Sequence, residues 1–241
     1  MKLYKYSAID KYLLLNLKRN EIYFNVVNKV NDPYEGMIDF KVNTEVENDF
    51  VKFFYRENYV TEIFNKYSFD EIKREIIFDN VNVFLKDVGI SCFSETNMSL
   101  AMWGHYASNH KGICIEFDST IGVFRHAEKV EYTRTIHNVK VNSENKLTKE
   151  FFMNATSKCM YKKYEEWKYE KEWRIIYQAN KGFKYPLEAI TGIYFGMRTT
   201  DEDVELVHKA TKHIEHLNYF KATLKPHVYK IVYNQIEFSD T

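Results

Sequence analysis

Apolar positions recur along this chain with two different periods. Residues 2–6 read as a short strand, and Leu13, Leu14 and Leu17 then fall at helical spacing. Between them, Ser7-Ala8-Ile9-Asp10 has the form of a capping box with Asp in place of Glu. Residues 21–27 alternate as a strand does. Asn31-Asp32-Pro33 then forces a turn, because Pro fixes φ while Asn and Asp bond their own backbone. The pattern predicts two helices over 45–66 and 69–86, the second opened by the capping box Ser68-Phe69-Asp70-Glu71. A buried strand over 89–94, a helix over 98–107 and a strand over 112–117 follow, with a further strand over 128–133. Residues 146–165 read as a helix and 172–177 as a strand. Pro186 stops what precedes it, and 190–195 is the next strand. Thr200-Asp201-Glu202-Asp203 opens a helix to about Leu217, with its acids at the favourable positive end. Residues 219–236 hold one or two last strands.

Strands and helices are interspersed without regular βαβ spacing. That predicts an α+β fold with a mixed or antiparallel central sheet and several helices. With 3 Pro and 8 Gly in 241 residues, no stretch reads as a linker, so a single domain over 1–241 is expected. A chain this long hides roughly 70% of its unfolded surface, enough for a sizeable core.

Composition changes the picture in three ways. Aromatic content is high, with 19 Tyr and 18 Phe. Net charge is zero, unlike a protein that binds nucleic acid mainly through phosphates. Residues 140–185 are locally basic, with eleven Lys/Arg against six Glu, which tilts any macromolecular target slightly towards nucleic acid. Cys92, Cys114 and Cys159 form no C-x-x-C pair, so neither a zinc ribbon nor a disulfide framework is expected. The first residues lack the apolar core of a signal peptide, and no apolar run reaches the ~20 residues of a membrane span. A cytoplasmic protein with no membrane partner is the expectation.

Three clusters carry candidate chemistry. Asn31-Asp32-Pro33-Tyr34-Glu35 is either a rigid turn or a rigid loop offering Asp32, Tyr34 or Glu35 to a ligand. Met102-Trp103-Gly104-His105-Tyr106-Ala107-Ser108-Asn109-His110 is the densest run of polar aromatics. It is either an amphipathic helix with Trp103 in the core or a site with His105 or Tyr106 facing a ligand. His105 and His110 are five apart and do not share a helical face, so no metal is expected. In Tyr169-Glu170-Lys171-Glu172-Trp173-Arg174, strand alternation would put Glu170, Glu172 and Arg174 on one face. That is a surface ion ladder or a carboxylate positioned by Arg174, and Glu172 is the first choice for it. Arg174 is expected to pair with a carboxylate such as Asp32 or Glu35. The three clusters are expected to line one cleft. No P-loop, G-x-G-x-x-G or G-x-S-x-G occurs.

These motifs resemble the bacterial domain-of-unknown-function family numbered 2971. The resemblance runs from Leu3-Tyr4-Lys5-Tyr6 through residues 31–35 and Cys92-Phe93-Ser94-Glu95. It is strongest over Met102-Trp103-Gly104-His105-Tyr106-Ala107 and His110-Lys111-Gly112-Ile113-Cys114-Ile115-Glu116-Phe117, and it continues through Glu170-Lys171-Glu172-Trp173-Arg174 and residues 190–196. Gly104 stands where that family more often carries Ser. The resemblance implies an association with bacterial anti-phage defence. In layout the chain is also similar to the ADP-ribosyltransferase superfamily, which implies NAD as a substrate. Tyr4 or Tyr6 would then hold the nicotinamide amide, beside His105 or Tyr106. Glu172 or Glu170 would bond the ribose and stabilise the oxocarbenium-like transition state. Asn31, Asp32, Tyr34, Glu35, Trp103, His110 and Arg174 complete the candidate ligand-binding set. The target of such an enzyme would be a protein or a nucleic acid. Two other readings stand beside it: a non-catalytic nucleotide- or protein-binding sensor, and a metal-independent hydrolase or nuclease using Asp32, Glu35 and His105.

Overall fold

The computed structural model describes residues 1–27, 31–55, 57–77 and 85–238. It is an α+β protein whose backbone divides into two compact units. One comprises Met1–Phe24, Ile90–Val130 and Glu166–Thr241; the other comprises Asn25–Gly89 and Glu131–Glu165.

The first unit is built on a mixed, largely antiparallel sheet. Its strands are β1 (Lys2–Ser7), β2 (Glu21–Val26), β4 (Val88–Ser94), β5 (Ile113–Asp118), β11 (Lys181–Lys184), β12 (Ile190–Phe195), β13 (Asn218–Leu224) and β14 (Ile231–Ile236). The order is β11-β2-β4-β1-β5-β12-β13-β14, with β10 (Glu172–Gln178) pairing β4 and the short β6 (Glu128–Lys129). β1 lies antiparallel to β5 with Tyr4 opposite Glu116 and Tyr6 opposite Cys114. β12 and β13 are parallel because α7 (Asp201–Thr211) crosses between them.

One sheet face carries the main core. Leu3, Phe93, Ile115, Phe117, Ile193 and Phe195 project into it, with Leu17 of α1 (Lys11–Arg19) and Val204 and Val207 of α7 packed above. The apolar stripe of α1 matches its sequence pattern, but its cap does not. Ser7 ends β1, and Asp10 caps the helix by accepting from the Leu13 amide at 2.8 Å. At the other end of the chain, α7 stops at Thr211 rather than continuing to Leu217. Ile214 and Leu217 still reach the core, from successive turns.

The second unit holds two short parallel ladders: β3 (Ile38–Val42) with β8 (His137–Val141), and β7 (Glu131–Thr133) with β9 (Lys162–Tyr164). Phe40, Phe50, Phe69 and Phe152 interlock here at ring-centroid distances of 5.5–6.1 Å, which accounts for part of the aromatic content. The helix expected over 45–66 is two helices, α2 (Glu47–Phe54) and α3 (Glu57–Lys66), with Tyr55 extended between them. Phe53, Phe54 and Tyr55 are weak helix formers in a row, and ring packing decides their course. The expected 69–86 helix is seen as α4 (Phe69–Ile76), opened by the Ser68–Glu71 capping box; residues 78–84 lie outside the described residues. The 146–165 helix is shorter than its pattern, as α6 (Lys149–Cys159). Residues 162–164 leave it to pair with β7, so tertiary pairing overrides local propensity. Among the described residues no helix is long and apolar enough to cross a membrane.

Candidate functional site

Alternation along the strands sorts the first unit's side chains onto two unlike faces. Opposite the aliphatic core lies a second cluster of Tyr6, Met102, Trp103, Cys114 and Tyr194, with Tyr4, Tyr106, Tyr169 and Tyr233 against it. On β10, Ile175 and Trp173 belong to the aliphatic side, so Glu172 and Arg174 point to this second, polar-aromatic face. Two of the expected clusters, residues 102–110 and 170–174, therefore meet there with Tyr4 and Tyr6 of β1. Residues 31–35 belong to the other unit.

α5 (Leu100–Tyr106) roofs part of this face. Ser99 caps it by accepting from the Met102 amide, and Trp103 is buried edge-on against Tyr6 at 5.3 Å. Trp103 Nε1 donates to the Asn97 carbonyl at 2.9 Å. After Tyr106 the chain turns through three successive left-handed residues, Ser108, Asn109 and His110, with φ of 48°, 53° and 69°. Asn and His tolerate that region better than most residues. The turn returns its amides to the helix: Asn109 donates to the Gly104 carbonyl and His110 to that of Trp103, both at 3.1 Å. The polar end of the motif is thus a helix terminator. His110 Nδ1 is buried with no partner among the described residues, and burial, then Arg198, lowers its pKa.

The acids are placed differently from a plain strand face. Glu170 ends a short 3-10 turn, Glu165–Glu170, and Lys171 (φ 47°) breaks the chain before β10 begins at Glu172. Glu170 is 2% exposed: Tyr106 Oη donates to its Oε1, and Ser94 Oγ donates to its carbonyl at 2.6 Å. Ser94 lies opposite Tyr4 in the register, so β1, β4, α5 and the late acid join at one place. Glu172 is 3% exposed and faces Arg174, which is fully buried. Arg174 donates from Nε to Oε1 at 2.7 Å and from Nη2 to Oε2 at 3.1 Å. Arg174 thus pairs with a carboxylate, and one such partner is its own strand neighbour. Glu172 does not present an open carboxylate, because Arg174 and the sheet enclose it.

Groups absent from the candidate set also organise this face. Glu116 accepts from Thr191 and Tyr194, both at 2.7 Å, and pairs with Lys2 at 3.3 Å. Burial pushes its carboxyl up, and those hydrogen bonds and Lys2 more than offset it, leaving the pKa below the usual value. Tyr4 is raised to about 12 by burial and by Glu116. The thiols are not activated: burial, then the nearby Glu172 and Glu116 carboxylates, push Cys92 and Cys114 up. Glu116 was legible as the polar position in the apolar run Ile113-Cys114-Ile115-Glu116-Phe117, although it was not singled out.

Beside this face three rings form an aromatic shelf. His105 is exposed and its Nδ1 lies 3.2 Å from Tyr169 Oη; the Tyr169 ring stands 6.0 Å from His105 and 6.2 Å from Trp167. Lys168 and Lys171, both exposed, flank it in sequence. Trp167 and Tyr169 were not candidates, and their signal was present in the aromatic spacing of 167–169.

In the second unit, Asp32 is buried and its Oδ1 accepts from the Tyr34 amide at 2.9 Å, the self-bonded turn that Asn-Asp-Pro predicts. Asn31 is exposed, Glu35 half-buried and Tyr34 exposed.

Comparison with known families bears on one part of this chain. Residues 102–175 match the model described as a protein of unknown function, DUF2971. That stretch belongs to the DUF2971 family. Within the first unit, the DUF2971 segment contributes α5, the left-handed turn, β5, the Glu170 junction and the Glu172–Arg174 pair. No curated protein and no solved structure matches the chain.

Proposed function

We propose that the chain is a nucleotide-binding module whose ligand rests on the shelf formed by His105, Trp167 and Tyr169. The observation that carries this reading is the division of labour on the polar face. The acids, Glu170 and Glu172, are buried and bonded, whereas His105, Lys168 and Lys171 are exposed and the Trp167 and Tyr169 rings are half-buried. Aromatic rings bind bases by stacking at about 1–3 kcal/mol each, and lysines complement phosphate. Tyr106 and Glu170 brace the shelf from behind.

A second reading is favoured by one specific bond. Tyr106 to Glu170 joins the central aromatic motif to a late carboxylate, with Tyr4 close by through Ser94, and this supports an ADP-ribosyltransferase-like enzyme acting on NAD. In that case Glu170 would stabilise the charge developing on the ribose, and Glu172 would hold Arg174.

Calorimetric titration with NAD, ADP-ribose and ATP tests binding, and release of nicotinamide from NAD tests turnover. The module reading expects saturable binding that Tyr169→Ala weakens by tenfold or more, with no nicotinamide released. Nicotinamide release that Glu170→Gln abolishes would establish the enzyme instead. Absence of binding by all three ligands would end both readings.

A further inference from the structure

The second unit contains a cavity of about 350 Å³. Residues 133–137, which run from the β7/β9 ladder to the β3/β8 ladder, line it together with Tyr34 and Met37. Its size falls at the lower end of the roughly 300–1,000 Å³ seen for small-molecule sites.

The lining has a definite chemistry. Arg134, Lys162 and Lys163 contribute three cations, and among the described residues no Asp or Glu lines the cavity. Glu165 lies 2.6 Å from Arg134 and Glu131 lies 3.1 Å from Lys162, but these are surface pairs worth about 0–1 kcal/mol, which an incoming anion can replace. His137 Nε2 is buried there without a partner among the described residues. Tyr34 and Tyr164 supply ring faces at the rim.

We propose that this cavity is a second ligand site. It takes a small aromatic molecule carrying one anionic group, a carboxylate or a phosphate monoester. The anionic group sits between Arg134 and Lys162, and the ring lies against Tyr34. This site does not depend on the shelf in the other unit.

The test is a calorimetric titration of the full chain with indole-3-carboxylate, phenyl phosphate and adenosine monophosphate. Inorganic phosphate, indole and adenosine are the single-feature controls. Hydrogen–deuterium exchange then locates whatever binds. We expect at least one aromatic anion to bind saturably and to protect residues 131–137 and 162–164. The matching control should bind at least tenfold more weakly. Arg134→Ala, at an exposed side chain whose loss leaves the fold intact, should weaken binding by tenfold or more, and Lys162→Met should do the same. Which probe binds tightest separates the carboxylate from the phosphate source. The proposal is overturned if no aromatic anion binds, if both variants bind as wild type does, or if inorganic phosphate binds as tightly as the aromatic anions. Protection confined to 102–110 and 167–171 would also overturn it while leaving the shelf reading intact.

Discussion

The buried Glu172–Arg174 pair should govern stability. Arg174 is fully enclosed and grips both carboxylate oxygens of Glu172, at 2.7 and 3.1 Å. Removing one partner of a buried, hydrogen-bonded pair typically costs about 3–5 kcal/mol. For a chain of this length each kcal/mol shifts Tm by roughly 2–4 °C. Arg174→Ala should therefore lower Tm by roughly 6–20 °C. Glu172→Gln keeps the shape and one acceptor but removes the charge, so its loss should be smaller, about 1.5–3 kcal/mol. Glu172→Met with Arg174→Met should recover part of the loss, because the two charges of the pair are then removed together. Scanning calorimetry with parallel urea unfolding gives the numbers. If Arg174→Ala and Glu172→Gln both melt within 2 °C of wild type, a charge-compensating role for the pair is wrong, and Glu172 is available for chemistry after all.

Three further outcomes follow from the same geometry. Tyr106→Phe removes a donor from buried Glu170 and should destabilise by about 1–3 kcal/mol in urea unfolding. Gly196→Ala would put a Cβ 2.1 Å from the His110 carbonyl oxygen, a backbone atom that cannot yield. Chevron analysis or simple soluble yield should show a loss of at least 3 kcal/mol, at the severe end of overpacking. Glu116 has a folded pKa below its unfolded one, so its stabilisation is present above the ordinary Glu pKa of about 4.3 and fades as pH falls through the folded value. Glu116→Gln should therefore flatten the acid limb of a Tm-against-pH curve.

Where pattern and packing agree, the sequence was readable. The strand over residues 190–195 and the short helix after Ser99 follow from apolar runs and a capping side chain. The meeting of residues 102–110 with residues 170–174 followed from motifs that combine bulky supports with polar tips. What escaped was set by long-range pairing or backbone conformation. Residues 162–164 read as the end of a helix and become a strand because β7 offers them a partner. Glu170 and Glu172 read as one face, until the left-handed Lys171 separates them. Arg174 read as a partner for a carboxylate, and the pattern did not single out Glu172, two residues away on its own strand face, as one of them. The shelf residues Trp167 and Tyr169 lie in a 3-10 turn, where their aromatic spacing is visible but neither helical nor strand periodicity assigns them to a face.

Trp167 makes the central claim directly measurable, because it stands on the shelf while Trp103 is buried and Trp173 packs towards the aliphatic core. Titrating NAD and ADP-ribose while following tryptophan emission should give saturable quenching that disappears in Trp167→Phe. Quenching that persists undiminished in Trp167→Phe, or its absence with either nucleotide, would contradict a nucleotide stacked on this face.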